Sequence, residues 1–157
     1  MAARTAVEMA ENGQFHLDFD IAGGPAAFQI AVEGAEDNEN LAKDDVSRRK
    51  IDQNTIVIGL SASGRTPYAI AYLEAAKAMG ALTIAIDNSP DSALSKVVDV
   101  TISNNTGPEC PRGSTRMKAG TSQQITLQLF TRLLAQEDNA SSQFDRYICD
   151  LEHELLS

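Results

Sequence analysis

Tryptophan is absent from this chain, and histidine and cysteine occur only twice each in 157 residues. With His16 and His153 alone there is little material for a histidine-based triad or metal centre. Cys110 and Cys149 lie far apart and belong to no Cys-x-x-Cys or Cys/His cluster, so neither a disulfide framework nor a zinc site is indicated, and both read as free thiols. Positive charge is scarce as well. Thirteen Lys and Arg against 22 Asp and Glu leave a net charge of -9, the wrong sign for a protein that grips a phosphate backbone. An acidic surface of this size is explained by solubility. No apolar run approaches the ~20 residues that span a bilayer. The opening MAARTAVEMAENG lacks the basic-then-apolar order of a signal peptide, so the sequence reads as a cytoplasmic protein without nucleic-acid or membrane partners. What is present is a 43% hydrophobic content, enough at this length for one domain with a real core.

The apolar residues are grouped in a legible order. Residues 4–11 suit a short helix closed by Asn12-Gly13. Phe15, Leu17, Phe19 and Ile21 alternate with His16, Asp18 and Asp20, the period of an edge strand. Gly23-Gly24-Pro25 breaks it, and a helix is expected from 26 to about 40 with Phe28, Val32 and Ala35 as its buried stripe. A charged connector over 43–53 leads to the run IVIGL at 56–60, which lacks alternation and reads as a strand covered on both faces. Thr66 and Pro67 then open a helix that stops at Gly80. Further strands are expected at 83–86 and 98–102, with a helical turn or two over 92–96 between them. After a loop over 104–111, Ser114 or Thr115 opens a long helix to about 136, whose Ile125, Leu129 and Leu133 share a face, and an amphipathic segment follows at 144–156. Alternating strands and helices predict an α/β fold, a three-layer, doubly wound parallel sheet whose ligands bind outside the carboxyl ends of the strands.

Three stretches could carry chemistry. SASGRTP, at 61–67, stands at such a carboxyl end. Gly64 permits a tight turn, Ser61, Ser63 and Thr66 supply hydroxyls, and the following helix aims its positive end at the same point, so a phosphate is the natural guest. The same residues also fit an ordinary serine-capped turn. The loop is not a Walker loop and lacks the three-glycine dinucleotide pattern. GSTRMKAGT, at 113–121, combines a glycine entry, hydroxyls, Arg116 and Lys118 at a helix start. That composition favours an anion over the bland alternative, a capped surface helix with solvated cations. In AVEGAED, at 31–37, the expected helix places Glu36 beside the apolar stripe and Glu33 away from it. An acid there is costly to ionise unless it has a task, and proton transfer is one. A solvated acidic helix end is the bland alternative.

IAGG, AVEGAED, SASGRTPY, and GPE followed by GSTRMKAGT occur here in the order and approximate spacing of one family. Over residues 19–134 the chain resembles the N-acetylmuramic acid 6-phosphate etherases, which are sugar isomerase (SIS) domain enzymes. The resemblance implies a flavodoxin-like sheet and a lyase that cleaves a lactyl ether, giving N-acetylglucosamine 6-phosphate and D-lactate. It implies proton removal at C2 followed by addition of water, with no metal and no other cofactor. By motif, Ser61, Ser63, Gly64 and Thr66 would hold the 6-phosphate of an amino sugar. Glu36 would match one of two catalytic glutamates, and Glu109, Ser114 and Arg116 would lie near the sugar or the interface of a homodimer.

The chain also departs from that pattern. The family's first strand, its GTSGR-type loop and the D-A-x-E segment with the second glutamate have no convincing copy in MAARTAVEMAENGQFHLDFD, and Glu8 and Glu11 lie too close to Gly23. The sequence is therefore read as an SIS domain over 1–136, shortened at both ends and lacking the family's first strand, with a polar linker and helix over 137–157. Two alternatives stand beside the lyase: a non-catalytic sugar-phosphate regulator of the glucokinase-regulator kind, and an inactive truncated product.

Overall fold

The computed structural model describes residues 18–110 and 114–134, with side chains as far as residue 130. The helix expected at 4–11, strand residues 15–17 and the segment 144–156 lie outside that range, as do His16, Cys149 and His153. The chain divides into two compact units, Phe19–Gln123 and a second comprising Met1–Asp18 with Gln124–Ser157.

The first unit is built on a parallel sheet of three strands: β1 (Ile56–Ser61), β2 (Leu82–Asp87) and β3 (Val100–Ser103), in the order β1-β2-β3. Each falls within two residues of an apolar run in the sequence, and the α/β class is the expected one. Sequential order across neighbouring parallel strands is one half of a doubly wound sheet. The register pairs Ile56 with Leu82 and Ser61 with Asp87, then Asp87 with Ser103, so these three polar residues form one row across the C-terminal edge. Only β2 is covered on both faces, Thr83 through Asp87 being buried; β1 is half-buried and its Ile56 exposed.

The described part of the expected edge strand, residues 18–21, is not a strand. Its groups are engaged elsewhere. The carbonyl of Ile21 accepts the N–H of Gly24 in a tight turn (2.8 Å), and Asp20 accepts hydrogen bonds from Arg49 Nε (2.9 Å) and the Tyr72 hydroxyl (2.6 Å).

The helix expected at 26–40 also does not form. A short 3-10 turn over Gly24–Phe28 is followed by irregular chain, and helix α1 spans Glu39–Arg48, from the last residues of the expected helix into the segment read as a connector. Two local facts move the helix. Gly34 takes φ +74°, which breaks any helix through it, and the Asn38 side chain accepts the N–H of Leu41 (3.0 Å), a cap that fixes the start at Glu39. Glu39 in the first turn and Arg48 in the last suit the helix dipole. Phe28 and Val32, 50% and 41% exposed, do not line a core; Ala42 and Val46, one turn apart, do.

Helix α2 (Pro67–Ala78) begins with Pro67 in its first turn, as its sequence predicts. Leu73 drops into the space above Gly59 of β1, where an added Cβ would stand 2.4 Å from Leu73 Cδ1. With Ala85 and Leu94 it forms one core cluster, and Tyr68 and Ala71 join Ala42 in another. Burial of a leucine at this depth contributes about 2–3 kcal/mol. A polar strap runs over the second cluster: Tyr68 donates to Asp45 (2.6 Å), Tyr72 to Asp20, and Arg48 and Arg49 pair with the same two carboxylates. Burial and then the carboxylate neighbours push both phenols above their ordinary range, keeping them as donors. Burial is the largest influence on Asp20 and raises it, but the bonds from Arg49 and Tyr72 together leave it below the usual carboxylate range.

After β2 comes a 3-10 turn, Leu94–Lys96, within the stretch 92–96 where a helical turn or two is expected. Asp99, just before β3, accepts from Lys77 (2.8 Å) and from Thr83 N–H and Oγ1 (2.9 and 2.8 Å), which pull its carboxyl down to about 2. Helix α3 spans Lys118–Leu134, starting some four residues later than the hydroxyls of Ser114 and Thr115 suggest. In the second unit Leu127 is buried and Ile125 and Leu129 are half-buried. No helix among the described residues is long and apolar enough to cross a membrane.

Candidate functional site

Four of the expected residues share one turn at the carboxyl end of β1. Ser61, the last residue of the strand and 6% exposed, has its Oγ 2.8 Å from Thr66 Oγ1. Thr66 occupies the cap position of α2, yet its hydroxyl makes no cap bond; it turns inward to Ser61, contrary to the expected role. Between them the chain doubles back. Gly64 N–H donates to the Ser61 carbonyl (3.0 Å) with Gly64 at φ +60°, and Ser63 Oγ accepts the Arg65 N–H (3.3 Å). Gly64 is required twice over: its φ is left-handed, and a Cβ would stand 2.3 Å from Ser92 Cβ. Hydroxyls, a tight turn and the start of a 12-residue helix thus converge outside the sheet, which is the physical description of an anion cradle.

The cradle is held from behind by the segment after β2. Asn88 N–H and Ser89 Oγ donate to the Ala62 carbonyl (3.1 and 3.4 Å), and Leu94 N–H donates to the Gly64 carbonyl (2.9 Å). Asn88 also reaches the other way, its Nδ2 donating to Ser122 Oγ (2.7 Å) and Thr106 Oγ1 (3.2 Å). One side chain therefore ties the cradle to the first turns of α3. In the sequence, the signal for this role is the polar pair Asp87-Asn88 closing an otherwise apolar run.

Glu36 is exposed and lies on irregular chain, so the helical argument that set it beside an apolar stripe does not hold. Its backbone nevertheless meets the cradle's helix: the Glu36 carbonyl accepts the N–H of Tyr68, in the first turn of α2 (3.0 Å). The remaining residues gather at the start of α3. Glu109 is buried, and its Oε1 accepts the Ala119 N–H (3.0 Å). That backbone bond first, and the Lys118 charge among lesser causes, hold its carboxyl below the usual range. Ser114 Oγ accepts the Arg116 N–H (3.4 Å), Arg116 is exposed, and Lys118 Nζ donates to the Thr106 carbonyl (2.9 Å). Cys110 is a free, exposed thiol.

Residues 1–133 match the SIS domain. The chain belongs to this family. Across 111 residues, 71% of its length, it is 52% identical to N-acetylmuramic acid 6-phosphate etherase of Lactobacillus gasseri and 49% identical to that of an Enterobacter species. It spans 37% of each of these curated relatives. Among solved structures, the NanR protein of Vibrio vulnificus complexed with ManNAc-6P superposes with a TM-score of 0.53 at 14% identity, over 98% of this chain and 48% of that one. At that identity the likeness concerns the fold alone. The SIS domain here thus carries its hydroxyl-rich turn at the end of β1, and Asn88 joins that turn to the first turns of α3.

Proposed function

We propose that the chain is an etherase-like SIS lyase acting on N-acetylmuramic acid 6-phosphate, with products N-acetylglucosamine 6-phosphate and D-lactate. Ser61, Ser63, Gly64 and Thr66 hold the 6-phosphate, and Glu36 moves a proton at the reacting carbons. The proton at C2 is removed, the C3–oxygen bond breaks to release lactate, and water then adds across the double bond, restoring hydrogen at C2 and placing a hydroxyl at C3. Glu109 supports the segment carrying Ser114 and Arg116, which face the sugar or a second copy of the chain in a cytoplasmic homodimer. One observation carries the reading: the cradle at 61–66 is joined through Tyr68 to the backbone of Glu36, so phosphate site and acid share one helix start. The 52% identity to an etherase over 111 residues supports the substrate.

The test is an assay for D-lactate release from N-acetylmuramic acid 6-phosphate beside a calorimetric titration with the product sugar phosphate. Release by the chain is expected, with a loss of at least a hundredfold in Glu36→Gln, a magnitude typical of a missing general acid or base, and unchanged phosphosugar affinity. Binding without release would replace the lyase by a sugar-phosphate regulator, and neither would end both readings.

A further inference from the structure

Asp87 is the most buried acid of the site, with no exposed surface, and nothing above gives it a task. Its Oδ2 accepts the hydroxyl of Ser92, which in turn accepts the N–H of Ser95 (3.1 Å). Its Oδ1 has no hydrogen-bond partner, and among the described residues no ion pair neutralises it. A buried carboxylate left in this condition is destabilising, so its location matters. Asp87 is the register partner of Ser61, and its Oδ2 lies 3.4 Å from the point a Cβ on Gly64 would occupy. The Ser92 that it holds is the side chain packed against Gly64, and the bond from Leu94 N–H to the Gly64 carbonyl closes the same contact.

We propose that Asp87 is a positioning residue for the cradle: it fixes Ser92 behind Gly64, and its carboxylate opposes the charge of the anion the turn receives. The proposal rests on the cradle being the phosphate site. Its chemical sense follows from the reaction. Substrate and product carry the same 6-phosphate, so affinity for that group is shared by both and does not accelerate the chemical step. Excess affinity would slow the release of product. A carboxylate behind the cradle keeps the turn in shape while limiting how tightly it grips.

Asp87→Asn retains an acceptor for Ser92 and removes the charge, whereas Ser92→Ala removes the clamp and leaves the charge. Affinities for N-acetylglucosamine 6-phosphate and for unphosphorylated N-acetylglucosamine, with amide exchange over residues 62–66 in the ligand-free protein, separate the two effects. Asp87→Asn is expected to tighten the phosphorylated sugar about five- to tenfold, to leave the neutral sugar unchanged and to leave exchange slow. Ser92→Ala is expected to weaken the phosphorylated sugar about tenfold and to speed exchange. A merely structural aspartate would not improve binding of the phosphorylated ligand alone. Asp87→Asn with equal or weaker phosphosugar affinity overturns the charge effect, and Ser92→Ala with unchanged exchange overturns the clamp. If Asp87→Asn does not fold, Asp87→Ser provides the same comparison. Ser61→Ala with full phosphosugar affinity would instead remove the cradle reading; the charge effect falls with it, and exchange in Ser92→Ala still decides the clamp.

Discussion

The starts of α2 and α3 solve the same problem in opposite ways. Both leave backbone N–H groups pointing out of a helix end, and both stand near the carboxyl edge of the sheet. At α3 the chain supplies its own anion: the buried Glu109 carboxylate accepts the Ala119 N–H. At α2 no side chain caps the helix, and the threonine in the cap position spends its hydroxyl on Ser61. An anion site and a cap are one geometry with different occupants. By charge alone the α3 start, with Arg116 and Lys118, is the better host, yet Glu109 already accepts there; on the proposed function the turn before α2, with Arg65 as its charged residue, receives the guest.

Gly64→Ala should break the contrast most severely. Its Cβ meets Ser92 and its φ is left-handed, which together cost about 2–4 kcal/mol in denaturant unfolding; phosphosugar affinity should fall at least tenfold, and unchanged affinity would contradict the cradle. Glu109→Ala should make the two ends alike. Thermal unfolding then begins at a lower temperature, and added inorganic phosphate restores part of the loss by entering the vacated α3 start; a midpoint indifferent to phosphate would show that the carboxylate is not acting as a built-in anion. The smallest effect lies away from both helix ends and gives a baseline. Asp99 is held at about 2 against an ordinary value of 3.8. A depressed folded-state value means that its contribution is whole above about pH 4 and disappears as pH falls toward 2. The gap in unfolding midpoint between the native chain and Asp99→Asn should therefore be constant near neutrality and close over that acid window.

The apolar runs announced the sheet because a parallel strand buried by its neighbours needs no alternation, and β2, 82–87, is the clearest case. Pro67 and Gly80 bracketed α2 for equally local reasons. The region 26–48 misled because Phe28, Val32 and Ala35 have helical spacing on chain that forms no such helix, leaving Ala35 alone of the three buried, while the true helix hides only Ala42 and Val46 behind charged residues. Asn38 followed by Glu39 was a readable cap, outweighed by the larger apolar side chains upstream. For the site, the turn at 61–66 was legible because its chemistry is contiguous. Asn88 and Ser92 were harder to read, since they act through contacts distant in sequence: Asn88 with Ala62 behind it and with Thr106 and Ser122 ahead, Ser92 with Gly64.

The hydrogen bond from Tyr68 N–H to the Glu36 carbonyl has a metrical consequence. A hexose 6-phosphate carries its phosphate and its acidic C–H a fixed span apart, set by the ring. On the proposed chemistry, the segment bearing the acid and the turn bearing the phosphate are fastened to one end of α2, so the pair works as a caliper. If the proposal holds, sugars of the wrong span would be refused by length before any ring hydroxyl is read.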